Sequence, residues 1–216
     1  VTPGIVLGEN LISGKENTFL ASVYFGRNIT GIALMDVSTG EYYVAEGDDV
    51  YIDKLISNFQ PKEIVFQRGY EERFHDAFGS SHYTYRLDEW VFAENVNRDK
   101  LCKQLGVPSL KGFGVEAMSA GISAAGAILY YLEFTEHHHT AHISTISRID
   151  REDTVWIDKF TIRNLELFSS NASTSKCSFT EVIDRTLTAM GGRQLKRWVA
   201  MPLMDLDKIR FRQDIV

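Results

Sequence analysis

The chain has 216 residues, of which 44% are hydrophobic and 24% charged, a balance that predicts a folded protein and excludes a largely disordered one. Its net charge of −6 argues against a free-standing nucleic-acid-binding domain, which is usually basic. Cys102 and Cys177 belong to no paired motif. They indicate a reducing compartment without a disulfide scaffold, although a single bridge between them stays an alternative.

Residues 19–46 predict three strands. Phe19–Phe25, Gly31–Val37 and Tyr42–Ala45 are rich in apolar, β-branched and aromatic residues, which favour extended structure. The connections between them are short and contain Gly, Asn and Ser. Short turns of this composition join antiparallel neighbours, so we expect an antiparallel meander.

The hydrophobic period then changes from that of strands to that of helices. Asp48 or Asp49 is placed to cap a helix whose apolar residues recur at helical spacing and which Pro61 ends. A strand, a short helix and another strand follow at Glu63–Phe66, Glu71–Phe78 and Tyr83–Tyr85. The order β-β-β-α-β-α-β predicts an α/β domain, namely an RNase H-like mixed sheet with flanking helices.

Two helices are predicted next, at 97–105 and at 116–134. The second carries an apolar stripe and, beside it, a stripe of small residues at Ala117, Gly121, Ala124 and Ala127. Small residues let another element approach closely, so we expect this helix to be packed on two sides. Its apolar run is short for a membrane span and contains Ser119 and Ser123, which favours a buried core helix.

The last third of the chain predicts a partial all-α domain. After extended segments at 143–149 and 154–157, a capping box at Ser178-x-x-Glu181 begins a helix through Met190. Gly191-Gly192 interrupts that helix, Arg193–Val199 continues it, and Pro202 ends it. A last helix starts near Asp205. Residues 151–216 carry a net charge of +2 and residues 1–150 one of −8, a shift that often marks a domain boundary. We place the two domains at 1–140 and 141–216.

Asp36 is the strongest candidate catalytic residue. A carboxylate at the end of an apolar strand is where RNase H-like nucleases and sugar kinases hold their first Mg²⁺ ligand. Two-metal chemistry needs further converging carboxylates, and the later strands offer only Glu63. A metal-dependent nuclease or phosphotransferase centred on Asp36 is therefore the alternative function. The competing interpretation is that Asp36 and Ser38 shape a hairpin turn.

Three other features are weaker candidates. His138 and His142 would share a helical face and could hold a metal if Glu136–His142 were helical, but an exposed helix end is favoured. Gly112-Phe113-Gly114 lacks the remaining residues of a phosphate loop and predicts a turn. The aromatic side chains on the strands lack interleaved basic residues, so packing is favoured over base stacking; they include Tyr42, Tyr43, Tyr83 and Tyr85. No residue is assigned a catalytic, cofactor-binding or metal-binding role.

An ordered series of short strings is more specific than any of these sites. The strings are Thr2-Pro3-Gly4, Asp36-Val37-Ser38-Thr39-Gly40, Gly112-Phe113-Gly114-Val115-Glu116, Thr161-Ile162-Arg163-Asn164-Leu165-Glu166-Leu167, Met190-Gly191-Gly192-Arg193-x-Leu195-Lys196-Arg197-Trp198 and Pro202-Leu203. In this order and spacing, the series resembles the bacterial MutS family of DNA mismatch-repair proteins over essentially the whole chain. The first residue is Val1 rather than methionine, and we expect the chain to be a piece of a longer protein.

The resemblance implies a connector domain followed by the start of the helical core, or lever, domain of a mismatch-recognition ATPase. The family's mismatch-reading and ATPase residues have no counterparts in the chain. The implied role is to couple those distant ends and to dock the partner protein MutL, for which the helix around 97–104 is the candidate contact. ATP, Mg²⁺, mismatched duplex DNA and a homodimer are implied for the intact parent only. We expect a cytoplasmic protein without membrane contact, and a fragment that is not catalytic alone and holds no cofactor.

Overall fold

The computed structural model describes residues 17–135, 140–151, 154–155, 157–168 and 177–215. The chain divides into two compact units. In the described residues, the first unit contains residues 18–135 and 140–149, and the second contains Asn17 and those after 149. Thr2-Pro3-Gly4 and Glu136–His139 lie outside the described residues.

The first unit is built on one mixed sheet with the strand order β5-β4-β1-β2-β3-β6. Its strands are β1 (Phe19–Phe25), β2 (Thr30–Asp36), β3 (Glu41–Gly47), β4 (Glu63–Gln67), β5 (Thr84–Leu87) and β6 (Ser147–Arg148). The antiparallel meander of β1, β2 and β3 is confirmed. β4 and β5 add in parallel on the free side of β1, as the alternation of strands and helices predicted, and β6 adds in parallel to β3.

Among the described residues of the first unit, four α-helices accompany the sheet. They are α1 (Asp49–Phe59), α2 (Glu71–Phe78), α3 (Glu94–Leu105) and α4 (Ser119–Phe134), with short 3-10 helices at Glu89–Phe92 and Lys111–Phe113. Asp48 caps α1 by accepting a hydrogen bond from the backbone amide of Tyr51 at 2.7 Å. Gly106 ends α3 in the left-handed conformation, φ = 67°, which glycine adopts without steric cost. The start of α1 after Asp48 and the end of α3 at Gly106 both agree with the sequence prediction.

Helix α4 is packed on two sides, as its small residues predicted. It contacts β1, β2 and β3 on one side and α3 on the other. A Cβ atom on Gly121 would lie 2.7 Å from a methyl carbon of Val44, and one on Gly126 would lie 2.2 Å from the Cβ of Asn97. These contacts leave no room for larger side chains. No helix in the described part of the chain combines the length and apolar character needed to cross a membrane.

The second unit contains four helices among its described residues: α5 (Lys159–Asn164), α6 (Phe179–Ile183), α7 (Ala189–Ala200) and α8 (Leu206–Ile215). The capping box of Ser178 and Glu181 is present, as predicted. The prediction that the helix runs through Met190 and is interrupted at Gly191-Gly192 is wrong, because α6 ends at Ile183 and α7 contains both glycines. The predicted helix over Arg193–Val199, ending before Pro202, is confirmed.

Helix α6 ends earlier than expected because side chains just after it form local hydrogen bonds with the backbone. α6 ends at Ile183, and the carboxylate of Asp184 accepts hydrogen bonds from the amide and hydroxyl of Thr186. Such local bonds compete with helical ones. Thr188 then caps α7 by accepting from the amide of Gly191 at 3.0 Å, so Gly191 and Gly192 lie in the first turns of α7.

Candidate interaction surface

Asp36 lies at the end of β2 and is fully buried. Its Oδ1 accepts hydrogen bonds from the amide and hydroxyl of Ser38, at 2.9 and 2.6 Å, and from the amide of Thr39 at 3.3 Å. Its Oδ2 accepts from the amide of Thr18 at 3.1 Å. Asp36 therefore shapes the β2–β3 turn, as the competing interpretation held.

The converging carboxylates required for a metal-dependent nuclease are missing from the described residues, where no three His, Cys, Asp or Glu side chains are grouped to hold a metal ion. Glu63, the other carboxylate considered, accepts a hydrogen bond from the hydroxyl of Tyr131 at 2.7 Å. His142 lies with its Nε2 2.6 Å from the carbonyl oxygen of Val37. Lys111–Phe113 and the left-handed Gly114 form the predicted turn.

The four strand tyrosines have different environments. Tyr42 is buried and donates its hydroxyl to the carbonyl of Ala125 at 2.5 Å, and burial raises the pKa of this phenol well above its ordinary value. Tyr43 packs against Phe19 and Phe59, as predicted for a packing residue. Tyr83 is 58% exposed, so the packing expectation is wrong for it. Tyr85 is 39% exposed but packs against the buried Tyr131, with ring centroids 5.3 Å apart.

Tyr85 belongs to a group of neighbouring rings, which we call the aromatic surface: Tyr85, Trp90, Tyr130 and Phe134. Ring centroids lie 6.2 Å apart for Tyr85 and Phe134, 6.3 Å for Tyr130 and Phe134, and 5.2 Å for Trp90 and Tyr130. Trp90 is 63% exposed and Phe134 56%. The rings thus form a chain of contacts that leaves much of their area in solvent.

Three separate elements present these rings. Tyr85 lies on β5, the edge strand of the sheet. Trp90 lies in the 3-10 helix whose next two residues, Val91 and Phe92, are buried and fix it to the core. Tyr130 and Phe134 are four residues apart on α4, so they share one helical face near its C-terminal end. The core therefore holds the surface in place, although its members are exposed.

Charged groups border the aromatic surface. The ammonium group of Lys100 on α3 lies 5.3 Å from the centroid of the Tyr130 ring, within the range of a cation–π interaction. The same group lies 2.7 Å from a carboxylate oxygen of Glu133. An apolar centre with a polar rim is the usual anatomy of a protein–protein interface.

Helix α3, which contains the candidate contact at 97–104, has a buried face as well as an exposed one. Asn97 and Leu101 are buried. The side-chain amide of Asn97 donates to the carbonyls of Val91 and Ser123, at 2.9 and 3.1 Å, and ties α3 to its neighbours. Only the opposite face, which includes Asp99 and Lys103, is exposed.

The turn before α4 is fixed to α3 by an ionic network. The guanidinium of Arg98 binds the carboxylates of Glu94 and Glu116, at 2.7 and 2.9 Å. Its hydrogen bond to Glu94 is the largest cause of a raised pKa at Arg98. Glu116 also accepts from the amide of Leu110 at 2.9 Å. The network holds the Gly112–Gly114 turn beside α3.

Sequence reasoning missed Trp90, Tyr130 and Phe134. A signal for two of them was present, since Tyr130, Glu133 and Phe134 recur at the i, i+3, i+4 spacing of one helical face. The first unit is thus an α/β domain built on a mixed sheet, and a helical unit follows it along the chain.

Comparison with known proteins gives a closer assignment. Residues 18–144 match the family model described as MutS domain II, and residues 160–216 match MutS domain III. The chain therefore belongs to the MutS family. It is 49% identical over all 216 residues to the DNA mismatch repair protein MutS of Phocaeicola vulgatus, 48% to that of Bacteroides fragilis and 45% to that of Parabacteroides distasonis. The chain spans about a quarter of the length of these relatives, 25% in each case.

Proposed function

We propose that this chain is the connector domain and the start of the core domain of a DNA mismatch-repair protein, with the division between them near residue 140. Its task is to couple the parts of the parent that bind mismatched DNA and hydrolyse ATP, and to dock MutL. The connector has an RNase H-like fold without the catalytic site of that fold, and the piece is not catalytic alone.

The aromatic surface is the observation that carries the docking role. Large exposed aromatic residues in contact with one another are uncommon on a surface that meets only water. Trp and Tyr also dominate the binding energy of protein interfaces, because they bury much area at a small cost in side-chain entropy. We assign MutL to the aromatic surface together with the exposed face of α3.

The charge distribution supports assigning DNA contact to the parent rather than to this unit. Residues 1–150 carry a net charge of −8, which repels the phosphate backbone and favours a protein partner instead. Mismatched duplex DNA, ATP with Mg²⁺ and the homodimer belong in this proposal to the intact parent. The piece itself has no cofactor, and the protein is cytoplasmic.

Binding of the 216-residue chain to purified MutL tests the docking role. We expect Trp90→Ala and Phe134→Ala each to weaken binding by at least tenfold, since each removes one of the two most exposed rings of the aromatic surface. Phe160→Ala is the matched control, because Phe160 is also exposed, at 68%, but lies in the second unit. Its affinity should stay within twofold of the wild type.

Circular dichroism spectra must agree among the variants, so that a loss of binding is not a loss of folding. Unchanged affinity of Trp90→Ala and Phe134→Ala, with MutL still bound, would place the docking site elsewhere on the chain. Absence of MutL binding by the wild-type chain would reject the docking role of this region.

A further inference from the structure

Strand β5 presents one side of its backbone away from the sheet. It pairs in parallel with β4, and within the described residues no other strand lies on its far side. The carbonyls of Tyr83 and Leu87 accept from amides of β4 and of the residue after it, at 2.9 and 2.8 Å. Because successive residues of a strand direct their backbone groups to opposite sides, the amides and carbonyls of Thr84 and Arg86 point outward.

The two faces of β5 differ in chemistry. The ring of Tyr85 lies 6.2 Å from that of Phe134 on α4. Tyr83 lies two residues before Tyr85 and therefore shares the face that meets α4, where it is exposed. Arg86 lies on the opposite face, and its guanidinium is 3.4 Å from a carboxylate oxygen of α2. The Arg86 side chain is 59% exposed and has five N–H donors, so it can bind a further acceptor.

This combination is unusual for an edge strand that meets only water. Proteins commonly protect such edges with charged side chains, proline or a covering element, because outward backbone groups pair readily with another strand. β5 carries one charged side chain, Arg86, but exposes two tyrosines at alternate positions. One of them, Tyr85, belongs to the aromatic surface, so the outward backbone continues the surface assigned to docking.

We propose that MutL docks by adding an extended segment of its own chain to the sheet as a strand beside β5. Outward backbone groups supply affinity in complexes of this kind, and side chains at alternate positions supply specificity. The segment carries apolar side chains where it meets Tyr83 and Tyr85, and an acidic side chain where it meets Arg86. This inference rests on the proposed docking role and specifies how the partner binds.

Proline at position 86 tests the backbone contact directly. Arg86→Pro removes the outward amide proton, and proline is tolerated in an edge strand where its nitrogen faces away from the sheet. Arg86→Ala is the matched control, because it removes the same side chain and keeps the amide. We expect Arg86→Pro to bind MutL at least tenfold more weakly than Arg86→Ala does. The slowly exchanging amides of β4 should be equally protected in both variants, which shows that the sheet is intact.

Two further measurements do not depend on the proline variant. MutL should slow exchange of the Thr84 and Arg86 amides in the wild-type chain by at least tenfold, because both become hydrogen-bonded to the added strand. Tyr83→Ala, which leaves the aromatic surface complete, should weaken MutL binding by at least fivefold. These two results decide the question if Arg86→Pro loses the protection of β4.

The outcomes separate strand addition from the docking role itself. Equal affinities of Arg86→Pro and Arg86→Ala, or unchanged exchange at Thr84 and Arg86 in a MutL complex that forms, would overturn strand addition and leave the docking role intact. Absence of MutL binding by the wild-type chain would reject both. Slow exchange at these two amides in the chain alone, together with dimers in sedimentation, would mean that a second copy occupies the edge and would also overturn the proposal.

Discussion

Glu46 caps helix α4 from a different element of the fold, and its substitution tests how much that cap contributes. α4 begins after Met118, whose side chain makes no cap hydrogen bond. Instead, Oε2 of Glu46, at the end of β3, accepts from the amides of Ala120 and Gly121 at 3.1 Å each. A carboxylate at a helix N-terminus satisfies amides that have no partner within the helix and opposes the positive end of the helix dipole.

The expected magnitude follows from these two bonds. Loss of an N-cap side chain costs about 0.5–2 kcal/mol, and a hydrogen bond to a charged group contributes about 1.5–3 kcal/mol when buried. Because Glu46 is only partly buried, we expect Glu46→Ala to lower the free energy of unfolding by about 2 kcal/mol. Glu46→Gln keeps an acceptor oxygen and loses only the charge, so its cost should be about 0.5–1 kcal/mol.

The slowest-exchanging amides of α4 and β2 report the free energy of opening of the first unit and give the assay. A thermal melt gives a second readout, in which Glu46→Ala lowers the Tm by roughly 6 °C. Asp99→Ala removes an exposed carboxylate from the middle of α3 and should change the opening free energy by less than about 0.5 kcal/mol. A loss for Glu46→Ala no larger than that of this control would refute the assigned cap.

Two further predictions concern backbone space and pH. Gly126→Ala should destabilise the first unit by about 1–3 kcal/mol in urea unfolding, because its new methyl meets Asn97. Gly112→Ala should leave the free energy of unfolding unchanged, because no atom lies near its added Cβ. Equal losses of stability in the two variants would contradict the packing argument. At the N-terminal cap of α5, hydrogen bonds led by the amide of Thr161 lower the pKa of Asp158 below its ordinary value. Its contribution to stability is therefore complete above the unfolded pKa of about 3.9 and is lost as pH falls through the lower folded value. NMR titration of the Asp158 carboxyl should give a midpoint below that of a model peptide, and a midpoint at or above it would contradict the assigned bonds.

The order of elements in the first unit was predictable because its signals are local. The Asp48 cap, the left-handed Gly106 and the change from strand to helix periodicity each depend on residues within a few positions of one another. The error in the second unit has a local cause too. The hydrogen bonds of Asp184 and Thr186 ended α6 at a point that apolar periodicity alone did not mark.

The aromatic surface was less predictable, because the type of a residue does not determine whether its side chain is exposed. Tyr42 and Tyr85 are both strand tyrosines, yet one is buried beneath α4 and the other lies on an edge strand. Which strand becomes the edge is decided by pairing between segments far apart in sequence. Trp90 gave no periodic signal, since it lies in a 3-10 helix of four residues.

The sequence by itself determined the family, the mixed α/β class and the two-sided packing of α4. Net charge argued against a DNA-binding role for this piece, and that stays a prediction. Only the tertiary structure decided that Asp36 binds Thr18 and shapes a turn, that Glu46 caps a helix 74 positions later, and that four rings from three elements meet at one surface. These are long-range contacts, and a chain fixes them only when its hydrophobic core selects one arrangement of the strands and helices.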